Sequence, residues 1–349
     1  MVSIVIRSLM VIRNILIVQT AFIGDVVLAT PLIRALRESF PHAQIAALIL
    51  PATGALLHNH PYLDQVFLYD KKGRDRGLRA FFAWTRTLKV CTFDLTLVPH
   101  RSLRSALLVH RSGIPRRIGF DRSAGAFLFT DVVPYRTDLH EVNRNLTLLH
   151  PLGIEPHPRR PELFPDEGDR LAVEALLEAQ GANALDPFIA IAPGSVWPTK
   201  RWLPERFGQV ADRLLQEGFQ VVFIGGSADR ALCESIVRGM RHRPIIAAGR
   251  WSLLQSAAFL SQCTVLLSND SAPVHMAVAM GTRVVALFGP TVPAFGFAPY
   301  GPGHTVIQRD LACRPCSRHG GRRCPQGHFR CMKEISSEDV LRVLLQNSH

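Results

Sequence analysis

Four loops in this chain hold residue types that bind phosphate or move a proton. The first is Gln19-Thr20-Ala21-Phe22-Ile23-Gly24-Asp25, between an apolar run and a helical pattern. Gly24 lets a ligand approach the backbone closely. Asp25, at the helix opening inside a cleft, has two readings. It is a general base that takes a proton from a hydroxyl group, or a plain helix-opening carboxylate favoured by the dipole. The second loop is A-P-G-S-V-W-P-T-K-R-W (192–202), where Gly194, Ser195 and Lys200 offer an amide, a hydroxyl and a point charge to phosphate. The third is G-G-S-A-D-R (225–230). The fourth is S-N-D-S-A-P-V-H-M-A (268–277), where Asp270 or Ser271 caps a helix with Pro273 in its first turn. The amides of residues 271 and 272 then point at the cleft, an anion site of the kind that helix N-termini form. His275 lies one turn in, and both a structural and a cleft-facing role stay open for it. Leu287–Thr291 ends the following strand at the same edge, as a nucleotide contact or as a simple turn.

A further cluster is Cys313-x2-Cys316-x7-Cys324-x6-Cys331, with His319 and His328 between. Four thiols in this spacing have the character of structural zinc or iron ligands. Free thiols or a redox pair are the alternatives. Arg314, Arg318, Arg322 and Arg323 stand nearby and are expected to lower the thiol pKa values. Cys91, Cys233 and Cys263 read as buried thiols.

The elements that must position these residues alternate between strand and helix. In the second half, strands at 188–192, 219–224, 244–247, 263–267 and 283–288 are separated by helices near 204–217, 228–239, 252–261 and 271–280. This predicts an α/β, doubly wound parallel sheet. The first half alternates too, with strands at Ile15–Val18, Gln44–Leu50, Gln65–Tyr69 and Leu95–Val98. Helical spacing runs over Ala29–Phe40 and Ser102–His110. Residues 151–168 carry five prolines and two glycines and read as the inter-domain linker. The expected division is 1–165 and 166–349. No internal repeat is evident.

The 349 residues suffice for two such domains with a buried core. Hydrophobic residues make up 47% and charged residues 19%, which excludes a disordered chain. No apolar run is long enough to span a bilayer. Arg7 and Arg13 interrupt the apolar N-terminus, so the reading is a buried first strand and no signal peptide. Residues 1–9 read as an extension from an early start codon, with Met10 an alternative start. A reducing compartment follows from that reading. The net charge of +12 is concentrated: residues 71–122 hold thirteen Lys or Arg against Asp75, Asp94 and Asp121. Such a segment attracts a nucleic acid, an acidic lipid surface or a phosphorylated substrate. The chain carries no nucleic-acid recognition motif, and no nucleic-acid partner is expected.

Taken together, the motifs show a resemblance. T-A-F-I-G-D-V-V-L-A-T-P-L-I-R-A-L-R (20–37), A-P-G-S-V-W-P-T-K-R-W-L-P-E-R-F (192–207), V-V-F-I-G-G-S-A-D-R (221–230) and N-D-S-A-P-V-H-M-A-V-A-M-G-T-R-V-V-A-L-F-G-P-T (269–291) occur in this order. They resemble the ADP-heptose:lipopolysaccharide heptosyltransferases of glycosyltransferase family 9, most like the heptosyltransferase II branch. The resemblance implies a GT-B fold: two Rossmann-like domains facing across a cleft, acceptor on the first and nucleotide sugar on the second. It implies an inverting transfer of L-glycero-D-manno-heptose from ADP-heptose to the lipopolysaccharide inner core, with no cofactor required for catalysis. Asp25 then matches the catalytic base and Lys200 the lysine at the donor phosphates. Asp270, Ser271, Ala272 and His275 match the nucleotide-sugar motif, and Ser195 and Thr199 fall in the donor loop. Gly226 and Asp229 are placed near ribose or adenine by position.

Gly24, Arg101 and Arg104 are the expected acceptor contacts, and the basic segment is expected to hold the enzyme peripherally on the cytoplasmic face of the inner membrane. Related heptosyltransferases that modify proteins carry cysteine-bound iron, so a protein or another glycan stays open as the alternative acceptor.

Overall fold

The computed structural model describes residues 12–183 and 186–346. The extension read at residues 1–9 and the alternative start at Met10 lie outside them.

Twelve strands form two six-stranded sheets, each wholly parallel. The first sheet holds β1 (Asn14–Gln19), β2 (Gln44–Ile49), β3 (Gln65–Leu68), β4 (Leu95–Val98), β5 (Arg116–Phe120) and β6 (Asp131–Val133). Its helices are α1 (Ile23–Leu28), α2 (Thr30–Ser39), α3 (Pro51–Gly54), α4 (Leu78–Val90), α5 (Leu103–Arg111) and α6 (Glu141–Leu146). The second sheet holds β7 (Phe188–Ala192), β8 (Gln220–Phe223), β9 (Ile245–Ile246), β10 (Cys263–Asn269), β11 (Arg283–Phe288) and β12 (Thr305–Gln308). Around it lie α7 (Glu167–Ala179), α8 (Pro204–Gln216), α9 (Arg230–Arg238), α10 (Leu253–Leu260), α11 (Ala272–Ala279), α12 (Arg330–Lys333) and α13 (Ser337–Leu345).

The spatial orders are β3-β2-β1-β4-β5-β6 and β12-β11-β10-β7-β8-β9. Renumbered from its own first strand, the second order is the same as the first. Each sheet reverses direction at one point, between β1 and β4 and between β7 and β10. In open parallel sheets that reversal opens a crevice at the carboxyl ends of the strands, where ligands bind. All four candidate loops leave strands at this edge, and the first, second and fourth lie beside the two reversal points.

The central strands are apolar on both faces, as a sheet covered by helices on both sides requires. Ile15 to Val18, Ile189 to Ile191 and Val284 to Leu287 are all fully buried. One apolar cluster runs from Ile15 and Ile17 through Ala190 and Ala192 to Phe288, so the two halves share a core. Separate clusters cover the far face of each sheet. A clasp joins the halves on one flank. The Glu141 amide donates to Gly296 O at 2.8 Å, Tyr300 Oη donates to Asn143 Oδ1 at 2.8 Å, and the His140 ring packs on Tyr300.

Three expectations need correction. The first helix begins at Ile23, not Ala29, and breaks at Ala29–Thr30 into α1 and α2. Asp25 is therefore the third residue of α1, and Phe22 occupies the cap position. The chain has a structural repeat that its sequence hides. Cys91 is half-buried where a buried thiol was expected. The proline-rich stretch does lack regular structure from Ile154 to Pro165, and it is pinned to α2 by Arg34–Glu162 (2.6 Å) and Arg159–Glu38 (2.7 Å). Among the described residues no helix is long and apolar enough to cross a membrane.

Candidate active site

The second-domain side of the cleft is built around Asn269, the last residue of β10 and fully buried. Its Nδ2 donates to Pro193 O at 2.8 Å, and its Oδ1 accepts from the Trp202 amide at 2.9 Å. One amide side chain thus ties both ends of the 193–202 loop to the start of α11. Asp270 follows. Its carboxylate meets the Lys200 ammonium at 2.6 Å and accepts from Thr291 Oγ1 at 2.6 Å. The two predicted donor residues therefore form a nearly buried ion pair, with Thr291 as a third member. Breaking such a pair leaves one uncompensated charge in the interior. Ser271 sits at the N-cap of α11 with its hydroxyl turned back toward Ser268 and Asn269. The amides at the start of α11 are thereby left facing the cleft, where helix geometry leaves them without intrahelical partners.

Gly194 has a steric reason to be glycine. A Cβ there would lie 2.2 Å from Asp229 Oδ1. Asp229 also accepts from the Gly226 amide at 3.0 Å, so the 225–230 turn packs directly on the 193–195 turn. Ser195 is buried, with its carbonyl accepting from Arg201 Nε at 2.8 Å. Thr199 faces away from the donor side. Its hydroxyl donates to Gly321 O and accepts from the Gly321 amide, which fastens the Cys-rich segment beneath the loop.

On the first-domain side, α1 meets α11. A Cβ on Gly24 would come within 2.9 Å of His275 Cδ2, so glycine is needed for the two helices to meet. His275 is buried, and its Nδ1 has no hydrogen-bond partner among the described residues. Burial pushes its pKa down to about 3, with His140 and Lys200 adding repulsion, so the ring is neutral at physiological pH. Asp25, next to Gly24, keeps some surface toward the cleft but is crowded by protein on its other sides. Burial pushes its pKa up to about 6, and the Glu141 charge adds to the shift. The amides of Phe22 and Asp25, and the Arg101 charge, pull the other way.

The Arg101 guanidinium carbon lies 4.2 Å from the centre of the Tyr135 ring, and that of Arg144 lies 4.3 Å from it. Tyr135 and Arg144 both contact Glu141. Arg104 is anchored by Tyr69 Oη at 2.5 Å and Asp75 O at 3.0 Å. Lys71 was counted only as one basic residue among thirteen, yet it reaches into the cleft edge. Its ammonium donates to Thr20 O at 2.8 Å and Thr20 Oγ1 at 3.0 Å, beside His100 and Ser105. Burial, with Lys72 and Arg104 nearby, lowers its pKa to about 8. Glu141, Tyr135 and Asn269 also went unremarked, because single residues outside a recognisable turn give no spacing signal. A hollow of about 410 Å³ lies between Pro51–Asn59 and Ser252–Leu254, and none of the sequence-derived site residues lines it.

The cysteines behave differently from expectation. Cys316, Cys324 and Cys331 line one small cavity, and Cys313 Sγ lies 3.9 Å from His328 Nε2. Among the described residues, however, no three His, Cys, Asp or Glu side chains converge as an ion requires. Burial raises the Cys331 pKa to about 11 and raises Cys316 as well, outweighing Arg314. Arg314 spends its guanidinium on the carbonyls of Gly289, Arg309 and Thr291 instead.

The sequence pattern of glycosyltransferase family 9 (heptosyltransferase) matches residues 81–325. The chain is 31% identical over 279 residues to lipopolysaccharide heptosyltransferase 3 of Escherichia coli (strain K12), covering 77% of this chain and 80% of that protein. It is 26% identical over 346 residues to lipooligosaccharide heptosyltransferase 2 of Campylobacter jejuni, covering 94% and 97%. The crystal structure of the glycosyl transferase family 9 protein from Veillonella parvula superposes with a TM-score of 0.87 at 26% identity, covering 96% of each chain. Two facing Rossmann-like sheets define the class, the two-domain GT-B glycosyltransferases. Within it, this chain belongs to glycosyltransferase family 9, the heptosyltransferases, and it is an enzyme. Relatives of both the 2 and the 3 type are among its matches, so the likeness extends beyond the II branch.

The raised pKa of Asp25 has a stability consequence. The folded group titrates near 6 and the ordinary carboxylate near 3.8. The folded state therefore holds its proton more tightly. That preference supports folding fully below about pH 3.8 and is lost as pH rises through about 6. Asp25→Asn is expected to stabilise the protein at pH 8 by on the order of 2 kcal/mol, with the gain vanishing toward pH 4. Thermal unfolding of both proteins at the two pH values measures it. A variant no more stable than the parent at pH 8 would mean that the charge is not costly there.

Proposed function

We propose that this chain transfers L-glycero-D-manno-heptose from ADP-heptose to the inner core of lipopolysaccharide, with inversion at the anomeric carbon. The observation that carries the reading is the meeting of α1 and α11, which brings the helix bearing the half-buried Asp25 carboxylate of one domain against the helix of the other whose start is the proposed anion site. Residues 1–165 form the acceptor domain and 166–349 the donor domain. Asp25 accepts the proton of the acceptor hydroxyl as that oxygen attacks the anomeric carbon. The bond to ADP breaks, and its electron pair stays on the departing phosphate oxygen. Lys200 and the amides opening α11 meet that charge with a preorganised positive potential. Asp270 holds Lys200 in place. Gly226 and Asp229 shape the donor turn beneath Gly194, and His275 abuts Gly24 as a neutral ring. Arg101, with Lys71 and Arg104 behind it, faces the anionic acceptor. No step uses a metal. The acceptor glycolipid places the enzyme peripherally on the cytoplasmic face of the inner membrane.

The test is ADP release from ADP-heptose with purified inner-core acceptor. Asp25→Asn is expected to lower acceptor-dependent release by roughly 10²–10⁴-fold while ADP still binds. No release with any inner-core acceptor would move the assignment to a protein or another glycan.

The four cysteines remain the candidate ligands of a structural zinc or iron, since three of them already line one cavity. Rotation of their side chains would have to bring the sulfurs together. Elemental analysis decides this. One equivalent of metal per chain, lost in Cys316→Ser/Cys324→Ser, supports it, and a metal-free, fully active protein removes it.

A further inference from the structure

The chain from Ile23 to Ser39 would be one continuous helix but for the break between α1 and α2. Its cause is in the sequence. Pro31 has no amide hydrogen, so the Val27 carbonyl lacks the backbone donor that a helix supplies four residues on. The neighbouring amides turn away as well. Ala29 donates to Val26 O at 3.1 Å and Leu32 to Ala29 O at 3.1 Å, bonds that span three residues instead of four. The carbonyls of Asp25, Val27 and Leu28 are thereby left without their helical donors.

Three side chains replace those donors. Gln19 Nε2 donates to Asp25 O at 3.3 Å, Thr30 Oγ1 to Val27 O at 2.8 Å, and Asn145 Nδ2 to Leu28 O at 3.2 Å. They come from three parts of the first domain: the end of β1, the opening of α2, and α6. All three are buried, Asn145 completely. Thr30 is held in turn by the linker, since its hydroxyl accepts from the Glu162 amide at 3.0 Å. Asn145 lies one turn after Glu141, whose amide belongs to the clasp with the second domain.

Gln19 Oε1 and Asn145 Oδ1 are buried and have no hydrogen-bond partner among the described residues. A buried amide group left half-paired is unfavourable, and an apolar side chain of similar shape would avoid the penalty. The half that is paired serves the α1 carbonyls. The break also has a consequence for the cleft. α1 packs on α11 of the second domain, while α2 packs on α6 of the first. The direction of α1 is therefore not imposed by α2, and the carbonyl that Gln19 holds is that of Asp25 itself.

We propose that Gln19, Thr30 and Asn145 are positioning residues for Asp25, which fix the short helix that carries it in the orientation that meets α11. They act through α1 and not on the substrate. Their effect on turnover rests on the transferase reading; the fixing of α1 does not.

The test compares the full-length parent with Gln19→Met, Asn145→Leu and Thr30→Val, which keep size and remove the donor, and with Thr30→Ser, which keeps the hydroxyl. Hydrogen exchange of the amides of residues 23–29, followed by mass spectrometry, needs no turnover. The three donor-free variants should exchange there at least about tenfold faster than the parent, with exchange in α11 and ADP binding unchanged. Steady-state transfer from ADP-heptose to inner-core acceptor is then measured, with kcat normalised to the number of ADP-binding sites so that unfolded protein does not count. The donor-free variants should lose about tenfold or more in kcat while KM for ADP-heptose stays within about twofold. Thr30→Ser should match the parent in both measurements. A variant that loses the parent's circular dichroism is set aside, and the remaining ones decide. Exchange in α1 as slow as the parent's, normalised kcat unchanged despite faster exchange, or equal losses in Thr30→Ser and Thr30→Val would overturn the proposal. A parent that releases no ADP from ADP-heptose would count against the transferase reading alone, and the exchange rates would still decide whether the three side chains hold α1.

Discussion

The contact between α1 and α11 is the constraint on which the rest of the site depends. Each helix begins beside a reversal point of its own sheet, and each would be an ordinary crevice element alone. Packed together, they place Asp25 within the reach of the second domain. The contact is possible because residue 24 has no side chain, which lets the His275 ring fill the space. Both domains must present matching edges for this to happen, and the repeated strand order supplies them. The shared apolar cluster and the His140–Tyr300 clasp hold the edges in place.

Electrostatics then separates two tasks. On the first domain a carboxylate is kept reluctant to ionise, by burial and by the neighbouring Glu141. A base tuned toward neutrality takes a proton more readily than an ordinary carboxylate. On the second domain the lysine is paired with Asp270, which Thr291 fixes in turn, so its charge is oriented in advance for the proposed diphosphate. The polar scaffold behind both, Asn269 on one side and Tyr135 with Arg144 on the other, holds these groups without touching the cleft chemistry.

Much of this was legible in the sequence. Five of the six second-half strands are legible as apolar runs bounded by turns, and the donor loops follow from those turns; β12 is not among them. The first half was harder. β5 begins with Arg116 and Arg117 and β6 has only three residues, so neither shows apolar periodicity. α4, which carries Arg79, Arg86 and Lys89, is not among the helices read from the sequence. The start of α1 was missed because Phe22 at its cap offers no capping side chain, while Pro31 marked the later helix more clearly. The pairing of Lys200 with Asp270 could not be seen at all, since 70 residues and three strands separate them. The shifts of Cys316 and Cys331 were misjudged because burial raises both, while the Arg314 guanidinium turns toward backbone carbonyls in the fold.

The central claim is that Asp25 acts as the base from a site that raises its pKa. It is tested most directly by the pH dependence of kcat/KM for the transfer, measured on the parent and on Glu141→Gln. The account predicts an acid limb near pH 6 in the parent, since the free enzyme must lose the Asp25 proton before it can act. Removing the Glu141 charge should move that limb to lower pH. A profile that stays level below pH 6 down to the ordinary carboxylate range, or a limb that does not respond to Glu141→Gln, would contradict it.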